Sequence, residues 1–562
     1  MSILDWSVLL ATLILMIAYG LYKGRGQQGG QSYLLADKQM PWYVVVLGIM
    51  ATQASAITFL SAPGQAYTDG MRFVQYYFGL PLAMIVICVT FIPIFRRLNV
   101  YTAYEYLEQR FDRRTRVLTS MLFLLSRGLS TGISIYAPAI ILSSILGWNV
   151  YFTNIIMGGL LLIYTYAGGA KAVAHTQKLQ FLIILISMGI AGYLVVHQLP
   201  AGIGFSDALY IAGKSGKLNV ITTKFDWKDK YNIWSGLIGG FFLSLSYFGT
   251  DQSQVGRYIT GKDDHESKLG LLLNGLIKIP MQFAILLIGA LVFAFYSFYP
   301  APLSFNSSAY ENLKKHEPQQ MITLESQYAR LTGKYQQQAM QLTQAMHSKG
   351  IVPASSLQQF DTIRAQIKML RDSVSSEVAK NNYSPDKNDT NYVFIYFIKN
   401  ALPRGIVGLL FAVIILASWG SISAALNSLA ASSLMDVHML GHEKIPEHKE
   451  LRYCRLHTLL WGIGCICVAM FAARLGSLIE AVNILGSLFY GTILGIFLVA
   501  FYVKKADGKT VFIAAVIAEA SVVAIYLCDI VSFLWLNVIG SLIVVILCWL
   551  ETRFSMLSAA DR

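Results

Sequence analysis

Apolar residues along this chain run in continuous stretches of about 20, each long enough to cross roughly 30 Å of hydrocarbon as a helix rising about 1.5 Å per residue. Thirteen such stretches are predicted, beginning near residues 5, 43, 76, 117, 149, 178, 233, 270, 396, 453, 476, 510 and 531. A membrane β-barrel would need alternating segments of about ten residues, and these runs do not alternate. The expected fold class is therefore an all-α polytopic membrane protein. Lys23 and Arg25 follow the first run instead of preceding it, and no small-x-small cleavage site precedes them. This run reads as a retained helix, not a signal peptide, with the N-terminus outside.

That orientation makes alternate loops and the C-terminus cytoplasmic. Those loops are the basic ones, as in 96–116, which carries Arg96, Arg97, Arg110, Arg113, Arg114 and Arg116, and positive charge retained inside is the usual asymmetry. One long outward segment, 300–392, is polar and Gln-rich. Met321, Leu324, Tyr328, Leu331 and Tyr335 follow helical spacing in it, and a second helical stretch covers about 356–380. With Gly350 and Pro353 between them, they predict an antiparallel helical hairpin on the outer face. Such a hairpin is either a surface decoration or a site for an extracytoplasmic partner.

Two spans are interrupted by polar residues. The second reads GIMATQASAITFLSAPGQAY, with Thr52, Gln53, Ser55 and Thr58 near its middle; the seventh reads FFLSLSYFGTDQSQ, with Gly249 at a natural break. Unpaired backbone survives in a bilayer only where it lines a cavity or is buried in protein. The interrupted spans are five apart, the relation expected of two five-helix halves repeated with inverted topology around a solute site. The alternative is close helix packing through small residues. Span nine adds Ser418, Ser421, Asn427 and Ser428, oxygen ligands that suit a hard monovalent cation.

Composition agrees with this reading: 55% of the 562 residues are hydrophobic and 13% charged. The net charge of +13 is spread between spans, which fits membrane topology and not a nucleic-acid surface. The six cysteines lie within or at the ends of spans without metal-ligand spacing and read as packing residues. No phosphate-binding loop, nucleotide fingerprint, HExxH or GxSxG is present, so enzyme chemistry is not expected.

Several strings together resemble the sodium/solute symporter family, whose members carry sugars, proline, iodide, vitamins and monocarboxylates. They are AYEYLEQRF (103–111), YTYAGGAKAV (164–173), GTDQSQVGRYITGKD (249–263), LLLNGLIKIPM (271–281) and LPRGIVGLLFAVIILASWGSISAALNSLAASSLMD (402–436). The resemblance covers roughly residues 1–505 outside the insert. It implies a fold of the bacterial leucine-transporter type: an extra first helix in 1–25, repeats in 43–196 and in 233–299 with 393–505, the insert 300–392, and two last helices in 509–551. It also implies a plasma-membrane location, the inner membrane in a Gram-negative cell, and sodium-driven symport of a small organic solute by alternating access.

Carried over by motif, a sodium site would lie between spans two and nine. Its ligands would be the backbone oxygens of Ala51, Ala54 and Ala417 and the side chain of Ser421, with Gly420 where the family usually has a serine. Thr176-Gln177 stands where many members carry Thr-Asp, which favours one sodium per solute over two. Both departures leave proton coupling open. Sugar-site positions map to Thr58, Tyr77, Ser244, Lys278 and Asn483, with Tyr247 and Phe248 as inner gate. Sugar members have a Glu in place of Tyr77 and a longer polar side chain in place of Thr58; a missing charged acceptor costs roughly 1.5–3 kcal/mol per hydrogen bond. An organic anion therefore suits the site better than a sugar. Lys278 is read either as a charge for that anion or as a side chain snorkelling to the cytoplasmic end of its helix. Asp251 is read either as pairing with an arginine of an inward loop to close the inside or as a solvated end residue. The alternative functions are a sodium-coupled sugar symporter and a membrane solute sensor on the same scaffold.

Overall fold

The computed structural model describes all residues except 24–41, 54, 99–101, 260, 350–352, 381–388, 440–446 and 561–562. The described residues are helical, with no β-strand among them. Among the described residues ten helices are long and apolar enough to cross a membrane, and a bent pair makes up to eleven. Ten of the thirteen expected spans match those helices, and the second matches the bent pair. The fifth is represented by a shorter apolar helix, Val150–Tyr166, and the seventh by Ser235–Gly239 and Gly240–Thr250.

The expected fifth and sixth spans form one helical element, Val150–His197. It is not straight. The Tyr164 hydroxyl lies 2.7 Å from that of Thr176, twelve residues later, whereas a straight helix would hold those residues about 18 Å apart. The chain folds back between them. Both halves then pack against the helix Ile406–Ser433: Thr165 bonds Ser423 at 2.7 Å and Gln177 bonds the Gly420 carbonyl at 2.9 Å.

The first helix, Ile3–Lys23, is anchored at its N-terminal end. Asp5 is buried and accepts from the Gly405 N–H at 2.6 Å, just before Ile406–Ser433 begins. Gly405 has φ +87°, a left-handed conformation that glycine adopts without a Cβ penalty. The first apolar run is thus packed into the body of the protein.

The helices Pro318–Lys349 and Ala354–Lys380 form the expected hairpin. Tyr335 stacks on Phe360 at 4.6 Å, and Met321 and Tyr328 pack with Val374 and Val378, so the helices run antiparallel. A helix not expected from the sequence, Ser307–His316, leads into it. The hairpin also docks onto the body, with His347 Nε2 2.7 Å from Asp207 Oδ1, Tyr335 bonding Ser297 at 3.2 Å, and Arg371 donating to the Tyr67 hydroxyl at 3.3 Å.

Candidate functional site: a polar cavity between two broken helices

The second span consists of Trp42–Gln53 and Ala56–Asp69, which meet at 58°. Ser55 is extended at the break (φ −76°, ψ 168°). Thr52, Gln53, Ser55 and Thr58 cluster there as expected. Thr52 and Gln53 donate to carbonyls one turn back, and Thr58 donates to the Gln53 carbonyl at 3.1 Å, so side chains satisfy part of the freed backbone. In the seventh span the interruption comes later than expected. Gly249 stays helical, and a Cβ there would press on the Phe91 ring at 2.7 Å. The break falls at Asp251, whose ψ of 118° ends one helix before Gln252–Ile259 starts. Gly249 is therefore a packing glycine, and the carboxylate residue marks the interruption.

Between these breaks lies a cavity of about 140 Å³. Thr58, Tyr77, Ser244, Lys278 and Asn483 all line it, as do Tyr247, Phe248 and Ser421. Asn483 accepts from the Tyr76 hydroxyl at 3.1 Å. Lys278 is 2% exposed and lies 5.4 Å from the centre of the Tyr77 ring. It faces the cavity, so the snorkelling reading is corrected: the start of its helix at Asp264 is about four turns away, and the cavity is the nearer polar space. Sequence reasoning missed Arg127, Ser130, Thr131 and Ser134, which line the same cavity from Arg113–Leu146. An arginine within an apolar run was the available signal, since ionisable residues inside a membrane helix usually face its interior.

Below the cavity, Asp251 is fully buried and not solvated. It accepts from the Tyr490 hydroxyl at 3.0 Å and the Ser253 hydroxyl at 2.5 Å, and Arg127 Nη1 lies 3.9 Å away. Its cation belongs to a membrane helix, not to an inward loop as expected. Arg127 also lies 5.9 Å from the Tyr247 ring centre, and Gln254 donates to the Tyr247 hydroxyl at 2.7 Å. The inward-loop arginine Arg116 pairs elsewhere, with Asp436 at 2.7 Å and Glu108 at 2.6 Å.

The candidate cation position lies where Trp42–Gln53 meets Ile406–Ser433. Ala51 and Ala417 share one buried cluster, Thr52 and Gly420 meet the same Gln177 amide, and Ser421 lines the cavity, whereas Ala54 lies outside the described residues. The Ser421 hydroxyl donates to the Ser418 carbonyl at 3.0 Å. Ser418, one of the hydroxyls of span nine, donates to the Ser134 carbonyl at 3.3 Å. Two glutamines of the sixth span enter this region. Gln177 Nε2 donates to the Gly420 carbonyl and, at 3.3 Å, to Thr52 Oγ1. Gln180 Oε1 lies 2.5 Å from where a Cβ on Gly420 would stand. Among the described residues no group of His, Cys, Asp and Glu could hold a metal ion, so an ion here would rest on carbonyls and hydroxyls.

A multi-spanning helical body with a buried polar cavity between two interrupted helices is the architecture of a membrane solute carrier. A family model for the sodium:solute symporter family matches residues 33–324 and 372–518; the chain belongs to that family. The match runs into both ends of the expected insert, so only residues 325–371 fall between its two parts. The chain is 24% identical over 551 residues to the sodium/sialic acid symporter NanT of Aliivibrio fischeri, covering 97% of this chain and 92% of the relative. It is 31% identical over 302 residues to the human sodium/iodide cotransporter, covering 52% and 46%, so it spans about half the length of that relative. A solved structure of a Na⁺-coupled sialic acid symporter, substrate-bound and outward-open, superposes with a TM-score of 0.74 over 98% of each chain at 22% identity. The shared fold is of the leucine-transporter type, as expected, and the protein is a multi-pass protein of the plasma membrane.

Proposed function

We propose that this protein is a secondary active symporter that brings a small organic anion into the cell with sodium by alternating access. The observation that carries the anion is Lys278. It reaches the central cavity with no ion pair or hydrogen bond among the described residues. Arg127 is the second cation of the lining, and no carboxylate residue belongs to it. A buried charge without a counter-charge is costly, and a solute carboxylate would supply one. Several relatives bear the names of anion carriers: iodide, monocarboxylate and sialic acid.

Sodium would bind between spans two and nine, favour the outward-open state and complete the pocket. Coupling requires this kind of differential affinity for two states. The membrane potential adds about 2.3 kcal/mol per charge per 100 mV. The neutral amide of Gln177 favours one sodium per solute. The two five-helix halves, 43–196 and 233–299 with 393–505, belong to the same reading. Membrane lipid surrounds the spans, and exposed Ile322 and Met369 are the surface on which an extracytoplasmic partner could still dock.

The test is uptake into proteoliposomes of a panel of carboxylates, sugars and amino acids, under inward sodium or potassium gradients. Uptake of a carboxylate that requires sodium, and that falls tenfold or more in Lys278→Met, is expected. Sodium-driven uptake of an uncharged sugar that survives Lys278→Met would overturn the anion assignment.

A further inference from the structure

We infer that the protein has a second binding site, outside the membrane, for a carboxylate-bearing organic solute with an apolar or aromatic body, built between the outer hairpin and the core. The site is a cavity of about 890 Å³, distinct from the central one and larger than it. Its floor comes from the ends of membrane helices through Tyr67 and Tyr296, and its roof from the hairpin through Tyr328, Tyr335, Arg364 and Lys368. Arg364 and Lys368 lie in 325–371, between the two stretches the family model matches, so this site is particular to the hairpin.

Charge indicates what it would hold. Five cations line the cavity, Lys217, Arg364, Lys368, Arg371 and Arg474, against Asp361, Asp372 and Asp389. Two acids are already committed, Asp361 to Arg364 at 2.9 Å and Asp389 to Arg371 at 2.9 Å. Lys217 donates to the Thr68 carbonyl and makes no ion pair among the described residues, although the charge of Asp69 partly supports it. Arg364 Nη1 is buried with no hydrogen-bond partner. These three cations line one chamber, and burial, with repulsion from Arg364 and Lys368 only partly offset by Asp69, pulls the Lys217 ammonium down to about 8. A carboxylate between them would relieve the repulsion and engage the orphaned guanidinium nitrogen. The buried aromatic walls, Tyr296, Tyr328 and Tyr335, suit an apolar body, and the volume is that of a site for a small organic molecule.

The inference stands apart from the symport proposal, because none of these residues lines the central cavity. Equilibrium binding of radiolabelled benzoate to the purified full-length protein in potassium buffer tests it, with benzamide and inorganic phosphate as competitors. Saturable benzoate binding is expected that benzamide and phosphate displace at least tenfold less well than unlabelled benzoate. It should weaken tenfold or more in Arg364→Gln and in Lys368→Gln, the loss expected when a hydrogen bond to a charge is removed, and be unchanged in Lys278→Met. Lys368 is exposed, so its variant tests the site without threatening the fold. Absence of saturable binding, equal displacement by phosphate, indifference to both hairpin variants, or loss in Lys278→Met would each overturn the assignment.

Discussion

Gln177 donates its amide to the backbone carbonyl of Gly420 at 2.9 Å. The donor comes from the sixth span and the acceptor from the ninth, so a neutral side chain reaches the place where the family resemblance puts a cation ligand. Removing the amide takes the second hydrogen bond from a buried helical carbonyl, which costs about 0.5–1.5 kcal/mol. Gln177→Ala should therefore lower the thermal midpoint in sodium-free buffer, and added sodium should recover more of it than in the wild type. Equal sodium shifts in the two proteins would show that the amide and the ion do not compete for the same oxygens.

Gly420→Ser restores the hydroxyl that other members carry. Its Cβ would meet Gln180 Oε1 at 2.5 Å and Gln177 Cγ at 3.2 Å. The nearest atom is the end of a flexible side chain, so the cost should stay near 1 kcal/mol, at the low end for overpacking. The half-saturating sodium concentration for uptake should fall several-fold. A rise would mean that Gln180 fills the ion position and cannot yield it.

One sodium per solute is expected, because Gln177 cannot act as an anionic ligand. Reversal potentials in proteoliposomes at several sodium ratios should fit a single ion. A fit to two ions would place a second site on residues other than Gln177.

Asp251 holds Tyr490, Ser253 and Arg127 together beneath the cavity. Asp251→Asn leaves Arg127 buried without its counter-charge, a loss of about 3–5 kcal/mol for a broken buried pair. It should also open the inner path. A cysteine placed at Ser130, in a background without native cysteines, should then react faster with a thiol reagent added from the cytoplasmic side. An unchanged labelling rate would dismiss the gate.

Lys217 supplies a pH test outside the membrane. Its folded value near 8 lies below the ordinary 10.5. Between those limits the unfolded chain binds the extra proton, so stability rises as pH increases from about 8 to 10.5, and the full penalty applies below 8. Lys217→Met should be more stable than the wild type at pH 7, with the difference shrinking towards pH 10.5. A constant difference across that range would exclude titration of Lys217 as its source.

What the sequence determined by itself was what depends on local composition. Apolar runs fixed the helical membrane class, because a helix satisfies its own backbone bonds in lipid. Polar residues in the second span marked its break for the same reason, and the family resemblance singled out Thr58, Tyr77, Ser244, Lys278 and Asn483, which line one cavity. The tertiary structure decided what depends on approach between distant segments. Arg127 and Asp251 are 124 positions apart in sequence and 3.9 Å apart in space, so no local pattern pairs them. Gly249 looked like a hinge, yet Phe91 explains its lack of a side chain, and Asp251 carries the break. Gln180 fills the space beside Gly420, and the hairpin closes over a charged chamber whose cations come from three separate stretches of chain. Local periodicity reports which face of a helix is apolar. Which partner meets that face, and which charge is left without one, follows only from packing.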